Sequence, residues 1–221
     1  PDIVKSDIRD WTTEMADGMK KYAFGSDNPK VQLANMDELE EYTYYVAGTV
    51  GELLSRMFTM EHFKVPEKGS EVMFENGVSF GKALQYVNII KDSREDFTEG
   101  RCFIPADLLN KYGITLEEFF KSEKIPQIKA VYSELISRAE EHLKAAVKYI
   151  EAVPVRLWRI RLFCIWPVVL AVATINGIKR DLDIFINNNQ TYKITRKEVK
   201  KLLFKGYLAA FSNWYFIKLL G

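Results

Sequence analysis

An all-α fold in a single domain is what this sequence predicts, and three observations carry that expectation. Apolar residues recur at three- and four-residue steps through most of the chain, the period of a helix that buries one face. No segment alternates apolar and polar residues cleanly, as a half-buried strand does. Gly and Pro punctuate the periodic runs, and several runs are preceded by Asp or Thr with a Glu three residues on, the pattern of a capped helix start.

The 221 residues, 48% of them hydrophobic, can bury one substantial core, so residues 1–221 are expected to form one helical domain. A net charge of +1, with 28% charged residues of both signs, gives no electrostatic case for nucleic acid as a partner. Cys102 and Cys164 are too few and too far apart for a disulfide framework or a zinc site, so both read as packed thiols of a reducing, cytoplasmic setting. The chain opens Pro-Asp-Ile, without a basic-then-apolar leader.

In order, Ile3, Ile8, Trp11, Met15 and Met19 mark an amphipathic helix from residue 2 to about 22. Gly25 to Pro29 is a turn, and Asp37 with Glu40 is expected to cap the next helix. On that helix Tyr42, Tyr45, Val46, Thr49, Leu53 and Arg56 share a face, while Ala47, Gly48 and Gly51 form a smooth one. Small residues there suit either tight helix packing or clearance for a ligand. His62 to Ser70, with Pro66 and Gly69, reads as a polar connection; a helix then runs from about Glu71 to Asp96 and ends at Gly100. Phe103 to Leu109 starts a short helix closed by Gly113, Thr115 with Glu118 caps another, and Pro126 opens a long one reaching about Ala152. His62 and His142 are assigned to the surface. Pro154 opens the next helix, in which Leu162 to Ile178 is uncharged; its seventeen residues are marginal for a bilayer span, and Pro167 and Asn176 interrupt it. Asn187 to Thr191 is a loop, and Thr195 with Glu198 caps a last helix that ends in Phe211 to Leu220.

The helix over 71–96 carries the chemistry. Gln85, Asn88, Asp92 and Asp96 fall within an arc of about 80°, a polar stripe opposite the core face of Phe80, Ala83, Leu84, Val87 and Ile90. Carboxylates one turn apart repel, and a cation between them relieves the repulsion. Hard oxygen donors beside an amide suit Mg²⁺, which is usually shared between one or two carboxylates and a substrate phosphate, so a diphosphate is the inferred ligand. A solvated face with intrahelical ion pairs is the competing reading of the same spacing. Asp10/Glu14, Asp37/Glu41 and Glu71/Glu75 share the spacing without the Gln and Asn, and are assigned to the surface.

Three stretches carry a family resemblance. Asn88-Ile-Ile-Lys-Asp92, with Glu95-Asp96, Gly100-Arg101 and Pro105, resembles the second aspartate-rich motif of the squalene/phytoene synthase family, whose members join two prenyl diphosphates head to head. The run Tyr42 to Arg56 is similar to a second family motif, and Phe163 to Ile175 resembles the squalene branch. Glu14 to Met19 also looks like the family.

The resemblance implies an isoprenoid synthase-type bundle around a central apolar cavity, with residues 162–178 as a buried helix lining it. It implies that two farnesyl diphosphates are condensed to presqualene diphosphate and then squalene, with Mg²⁺ held by Asp92, Asp96 and Asn88. Gln85, Lys91 and Arg101 would contact the diphosphate, with Lys91 where the family often has an arginine; Arg101 also suits a structural pair with Glu95 or Glu99. Tyr42 matches the tyrosine that handles the proton and the carbocation, although a phenol with an ordinary pKa near 10 is a poor base, and the released diphosphate is an alternative one. Tyr45, Phe163 and Trp166 read as core residues. Lys193 and Arg196, beside the Asn187–Gln190 loop, loosely resemble the branch's stretch near NADPH; a polar turn and helix cap is the competing reading.

One departure from the family pattern stands out, because no second Asp-x-x-x-Asp occurs in the chain. The family's first aspartate-rich motif is accordingly expected in a missing N-terminal segment or on a second chain. Phytoene or dehydrosqualene synthesis without NADPH, and a non-catalytic assembly role, are the rival functions. Release of a lipid product implies peripheral membrane contact.

Overall fold

The computed structural model describes residues 2–22, 31–121, 124–187 and 191–221, so the expected Gly25–Pro29 turn and residues 188–190 of the Asn187–Gln190 loop lie outside the described residues. The described chain is helical, as its periodicity predicts. The helices are α1 (Asp2–Lys20), α2 (Met36–Thr43), α3 (Thr49–Phe58), α4 (Glu67–Thr98), α5 (Ala106–Lys111), α6 (Leu116–Lys121), α7 (Ile125–Ala152), α8 (Trp158–Arg180), α9 (Leu182–Asn187), α10 (Arg196–Ala209) and α11 (Asn213–Leu220). One small exception carries no local periodicity: β1 (Val31–Gln32) pairs in parallel with β2 (Arg101–Cys102), Val31 opposite Arg101 and Gln32 opposite Cys102.

Long helices α4 and α7 form the centre. The Phe80 ring lies 5.1 Å from Tyr149, and the hydroxyls of Ser93 and Tyr132 are 2.8 Å apart, so this buried polar pair is satisfied. On the other flank α3 approaches α4 closely through small residues. A Cβ on Gly51 would overlap the Gly77 carbonyl, and one on Gly81 the Ala47 carbonyl. The smooth face of the tyrosine motif therefore serves helix packing.

Four boundaries differ from the sequence expectation. Asn35, not Asp37, caps α2, its Oδ1 accepting from Glu38 N at 2.9 Å while the Glu38 carboxylate accepts from Ala34 N. Helix α4 begins at Glu67, directly after an extended Pro66, with Gly69 inside its first turn. Between α2 and α3 the turn Tyr44–Gly48 is π-helical, and the inserted residue breaks the register of the expected common face. Tyr42 and Thr49 are buried, whereas Tyr45 packs on Gly18 of α1 and Arg56 pairs with Asp7 of α1 at 3.3 Å. Finally, the last helix is two: Ser212 caps α11 by accepting from Tyr215 N.

Arg161 explains that break. It is fully buried on α8, and its guanidinium donates to the carbonyls of Ile150, Val153 and Ala210 and to Asn213 Oδ1. One side chain thus collects acceptors from the end of α7 and from the α10–α11 corner. Burial pushes its pKa below the ordinary arginine value. The uncharged stretch of α8 buries Ile165, Val168, Val169 and Ile175 and lines a hollow of about 320 Å³ with Leu143, Val147 and Leu220. Its Phe163 and Trp166, read as core, are 56% and 38% exposed, because they turn to the opposite side.

Candidate active site

A cavity of about 810 Å³ opens between α1, α2, α4 and the segment from Arg101 to Phe103. Its wall brings together Tyr42, Gln85, Asn88, Lys91, Asp92, Asp96 and Arg101, the seven residues that the motifs singled out for metal, diphosphate and proton. Ile89, Phe103 and, from α1 and its end, Ala16, Met19, Lys20 and Tyr22 complete it.

Helix geometry sets the polar wall. The residues follow one another at three- and four-residue steps along α4, so a straight helix presents them on one side while Val87 and Ile90 remain in the core. Arg101 arrives differently. Gly100, with φ of 81°, turns the chain out of α4, and the pairing of β2 with β1 then fixes the backbone of Arg101 beside the last turn of the helix. From there its guanidinium lies 3.1 Å from Asp96 and also bonds Glu99, while Glu95 accepts instead from the Thr191 hydroxyl.

Each aspartate leans on one cation, since Lys91 Nζ is 2.6 Å from Asp92. Burial pushes the Asp96 pKa up; Arg101 pulls it down and Asp92 pushes it up again, and the net direction is upward. The pairing favours charged Arg101, whose own pKa is raised, but desolvation outweighs it on the carboxylate side. Asp92, Asp96 and Asn88 are hard oxygen donors on one helix face, the chemistry Mg²⁺ takes. Among the described residues no three His, Cys, Asp or Glu side chains gather as a metal cage.

Tyr42 closes the cavity from α2. Its ring stacks on Phe103 at 4.5 Å and meets Tyr22 edge-on at 5.2 Å. Burial pushes its pKa up to about 12, helped by Asp96 and opposed by Arg101 and by a hydrogen bond with Gln85. Its phenol is therefore neutral and a weak base near pH 7, a dipole and an aromatic face.

The spacing argument did not find Phe103, Tyr22, Met19 or Lys20. Ala16, Met19 and Lys20 are three and four residues apart, a helical face that signals a common surface; Phe103 and Tyr22 join through loops and carry no such signal.

A second cluster was also missed, and it corrects the surface assignment of His142. Glu40 of α2 bonds Lys82 at 2.6 Å, Tyr86 at 2.7 Å and His142 at 3.5 Å, tying α2 to α4 and α7 two residues before Tyr42. Burial alone would raise the Glu40 pKa, yet the donors His142, Lys82 and Tyr86 hold it well below the usual carboxylate range. The acidic pairs read as surface do lie there: Asp10, Glu14, Asp37, Glu71 and Glu75 are exposed, and Glu41 is held by Lys21 and Tyr22. His62 is exposed against Phe63. Lys193 and Arg196 are exposed around the start of α10 and line no part of the cavity.

The squalene/phytoene synthase family model matches residues 5–198. Squalene synthase of Schizosaccharomyces pombe (strain 972 / ATCC 24843) is 32% identical over 182 residues, covering 82% of this chain and 39% of that protein. The Rattus norvegicus squalene synthase is 34% identical over 161 residues, covering 73% and 36%. Among solved structures, the complex of TcSQS with the ligand E5700 superposes with a TM-score of 0.77 at 22% identity, over 97% of this chain and 58% of that one; at that identity the likeness speaks for the fold alone. The chain spans 39% and 36% of the length of these two curated relatives.

Proposed function

This chain belongs to the squalene/phytoene synthase family, and from that premise we propose that its cavity binds a prenyl diphosphate for the head-to-head condensation of two farnesyl diphosphates to presqualene diphosphate and then squalene. The observation that supports this most is the meeting of Tyr42 with Asp92, Asp96, Asn88, Gln85 and Arg101 in one cavity, from parts of the chain about fifty residues apart.

In this reading Asp92, Asp96 and Asn88 hold Mg²⁺. When bound, the ion acts as a Lewis acid and template for the leaving diphosphate. Lys91 and Arg101 already stand at the carboxylates and exchange part of that pairing for phosphate oxygens; lysine supplies a point charge where arginine would supply a fork. Gln85 bonds the diphosphate or its water. Tyr42, Phe103 and Tyr22 present ring faces and edges that favour an allylic cation and keep water from it. With a phenol pKa near 12, Tyr42 serves chiefly as an oriented dipole, and the released diphosphate is the stronger base.

NADPH use near Lys193 and Arg196 belongs to the squalene branch of the proposal. Both are exposed and outside the cavity. Product analysis from farnesyl diphosphate and Mg²⁺, with and without NADPH, separates squalene formation from dehydrosqualene or phytoene formation. A non-catalytic role is favoured by one observation, the single aspartate pair, and absence of any product in an assay supplied with a second aspartate motif would establish it. A hydrocarbon product leaves for a lipid phase, so peripheral membrane contact in the cytoplasm is part of the same reading.

A further inference from the structure

Helix α2 has eight residues, too few to hold a position by itself, and a π-helical turn separates it from α3. Its register on α4 therefore comes from side chains. Leu39 supplies burial, which has no direction, whereas Glu40 supplies directed bonds. One Glu40 carboxylate oxygen accepts from Lys82 Nζ at 2.6 Å; the other accepts from the Tyr86 hydroxyl at 2.7 Å and faces His142 Nε2 at 3.5 Å. Lys82 and Tyr86 stand one turn apart on α4, and His142 stands on α7 with its ring 5.3 Å from that of Tyr86.

The same turn of α4 meets α2 a second time. Gln85, between Lys82 and Tyr86 in the chain, forms a hydrogen bond with Tyr42, and both of these residues line the cavity. Glu40, Lys82, Tyr86 and His142 do not line it. A slide or rotation of α2 on α4 would carry Tyr42 away from Gln85, and it would also strip a half-buried carboxylate and a buried ammonium of each other. Separating such a pair is costly, and a carboxylate gripped from two helices fixes one arrangement where an apolar contact tolerates several.

We infer that Glu40 is a positioning residue for the cavity: its bonds to Lys82, Tyr86 and His142 set α2 against α4 and so hold the Tyr42 hydroxyl on Gln85 at the cavity wall. Glu40 touches no ligand itself and acts through Tyr42. The inference rests on the proposed function for what the cavity binds; the placement of Tyr42 is measured without ligand, so the two fail separately.

The test uses the 221-residue chain labelled with carbon-13 at the tyrosine Cζ, whose resonance reports the hydrogen bonding of each hydroxyl, with Tyr42→Phe identifying the Tyr42 signal. Affinity for a farnesyl diphosphate analogue with sulfur at the bridging oxygen is titrated alongside, in Mg²⁺. Glu40→Ala should move the Tyr42 resonance and lower the affinity by about tenfold, the worth of one well-placed hydrogen bond. Tyr86→Phe, which removes one donor and keeps the ring, should shift both in the same direction by less, and it carries the test if Glu40→Ala does not fold. Tyr132→Phe breaks the buried α4–α7 bond to Ser93 away from α2, and should leave the Tyr42 resonance in place. An unmoved Tyr42 resonance or an unchanged affinity in both Glu40→Ala and Tyr86→Phe would overturn the inference, as would an equal movement in Tyr132→Phe. A wild-type chain that binds no analogue would overturn the proposed function instead, and the resonance alone would then decide whether Glu40 places Tyr42.

Discussion

The Arg101 guanidinium stands 3.1 Å from the Asp96 carboxylate because a two-residue parallel pairing holds its backbone beside the end of α4. This contact joins the two ideas that the sequence left open, a structural ion pair and a diphosphate contact. The arginine opposes the burial that pushes the Asp96 pKa up, and it lies on the cavity wall, where a phosphate oxygen can take the carboxylate's place as its partner.

Asp92→Asn or Asp96→Asn should abolish Mg²⁺-dependent turnover in any preparation that shows it, with the helical signal retained. For Asp96 the folded state raises the pKa, so folding penalises the charged form. That penalty is absent below the ordinary carboxylate value of about 4, where the group is protonated folded and unfolded alike, and is complete above the folded value. Asp96→Asn should therefore melt at or above the wild-type temperature near neutral pH, and the difference should vanish in acid. Circular-dichroism melts across pH check this; a variant that melts well below wild type at neutral pH contradicts it.

Gly81→Ala should be destabilising by about 1–3 kcal/mol, since its Cβ would overlap the Ala47 carbonyl and helix interiors of this kind do not repack around backbone. The displaced π-turn begins two residues after Tyr42, so farnesyl diphosphate affinity should fall along with the denaturation midpoint. Gly113→Ala lies in open space away from the cavity; the left-handed φ of 65° costs it stability, and its ligand affinity should not change.

Arg161→Leu removes one charge and takes a donor from four acceptors, the carbonyls of Ile150, Val153 and Ala210 and the Asn213 amide oxygen, of which the Ile150 carbonyl keeps Val153 N as a donor. Buried acceptors left unpaired are costly, so urea unfolding should show a loss of about 3 kcal/mol or more. Arg161→Lys should recover only part of it, because an ammonium has three donors and reaches fewer of the carbonyls. Equal stability of wild type and Arg161→Leu would contradict the role given to this side chain.

The helices, their order and the polar stripe were legible in the sequence because each is a local periodicity. Gln85, Asn88, Asp92 and Asp96 needed only a straight helix to meet. Tyr42 reached the same cavity by its resemblance to a family motif, and its helical spacing alone pointed it along Tyr45 and Arg56, which the π-turn sends to α1 instead. Glu40 with His142, and Tyr42 with Phe103, are contacts between residues far apart in the chain, and no local pattern announces them. The break at Ser212 was illegible for the same reason, since Arg161, which fixes the corner, lies about fifty residues upstream.

The 221-residue chain alone should yield no cyclopropyl intermediate or squalene from farnesyl diphosphate, Mg²⁺ and NADPH. It carries one Asp-x-x-x-Asp, and ionising a diphosphate in an apolar pocket calls for compensating charge on both sides of the leaving group. Gas chromatography of the extract checks this. Clear product would mean either that a second metal site lies among residues read as surface, with Asp10/Glu14 the first to test, or that the reaction does not need one.

The most direct test of the account is calorimetric titration of the chain with a farnesyl diphosphate analogue carrying sulfur at the bridging oxygen, with Mg²⁺ and with EDTA. The cavity as described predicts weak binding that requires Mg²⁺ and is lost in both Asp92→Asn and Asp96→Asn. Binding of equal strength in EDTA, or full Mg²⁺-dependent affinity in both variants, would contradict the assignment of these two carboxylates.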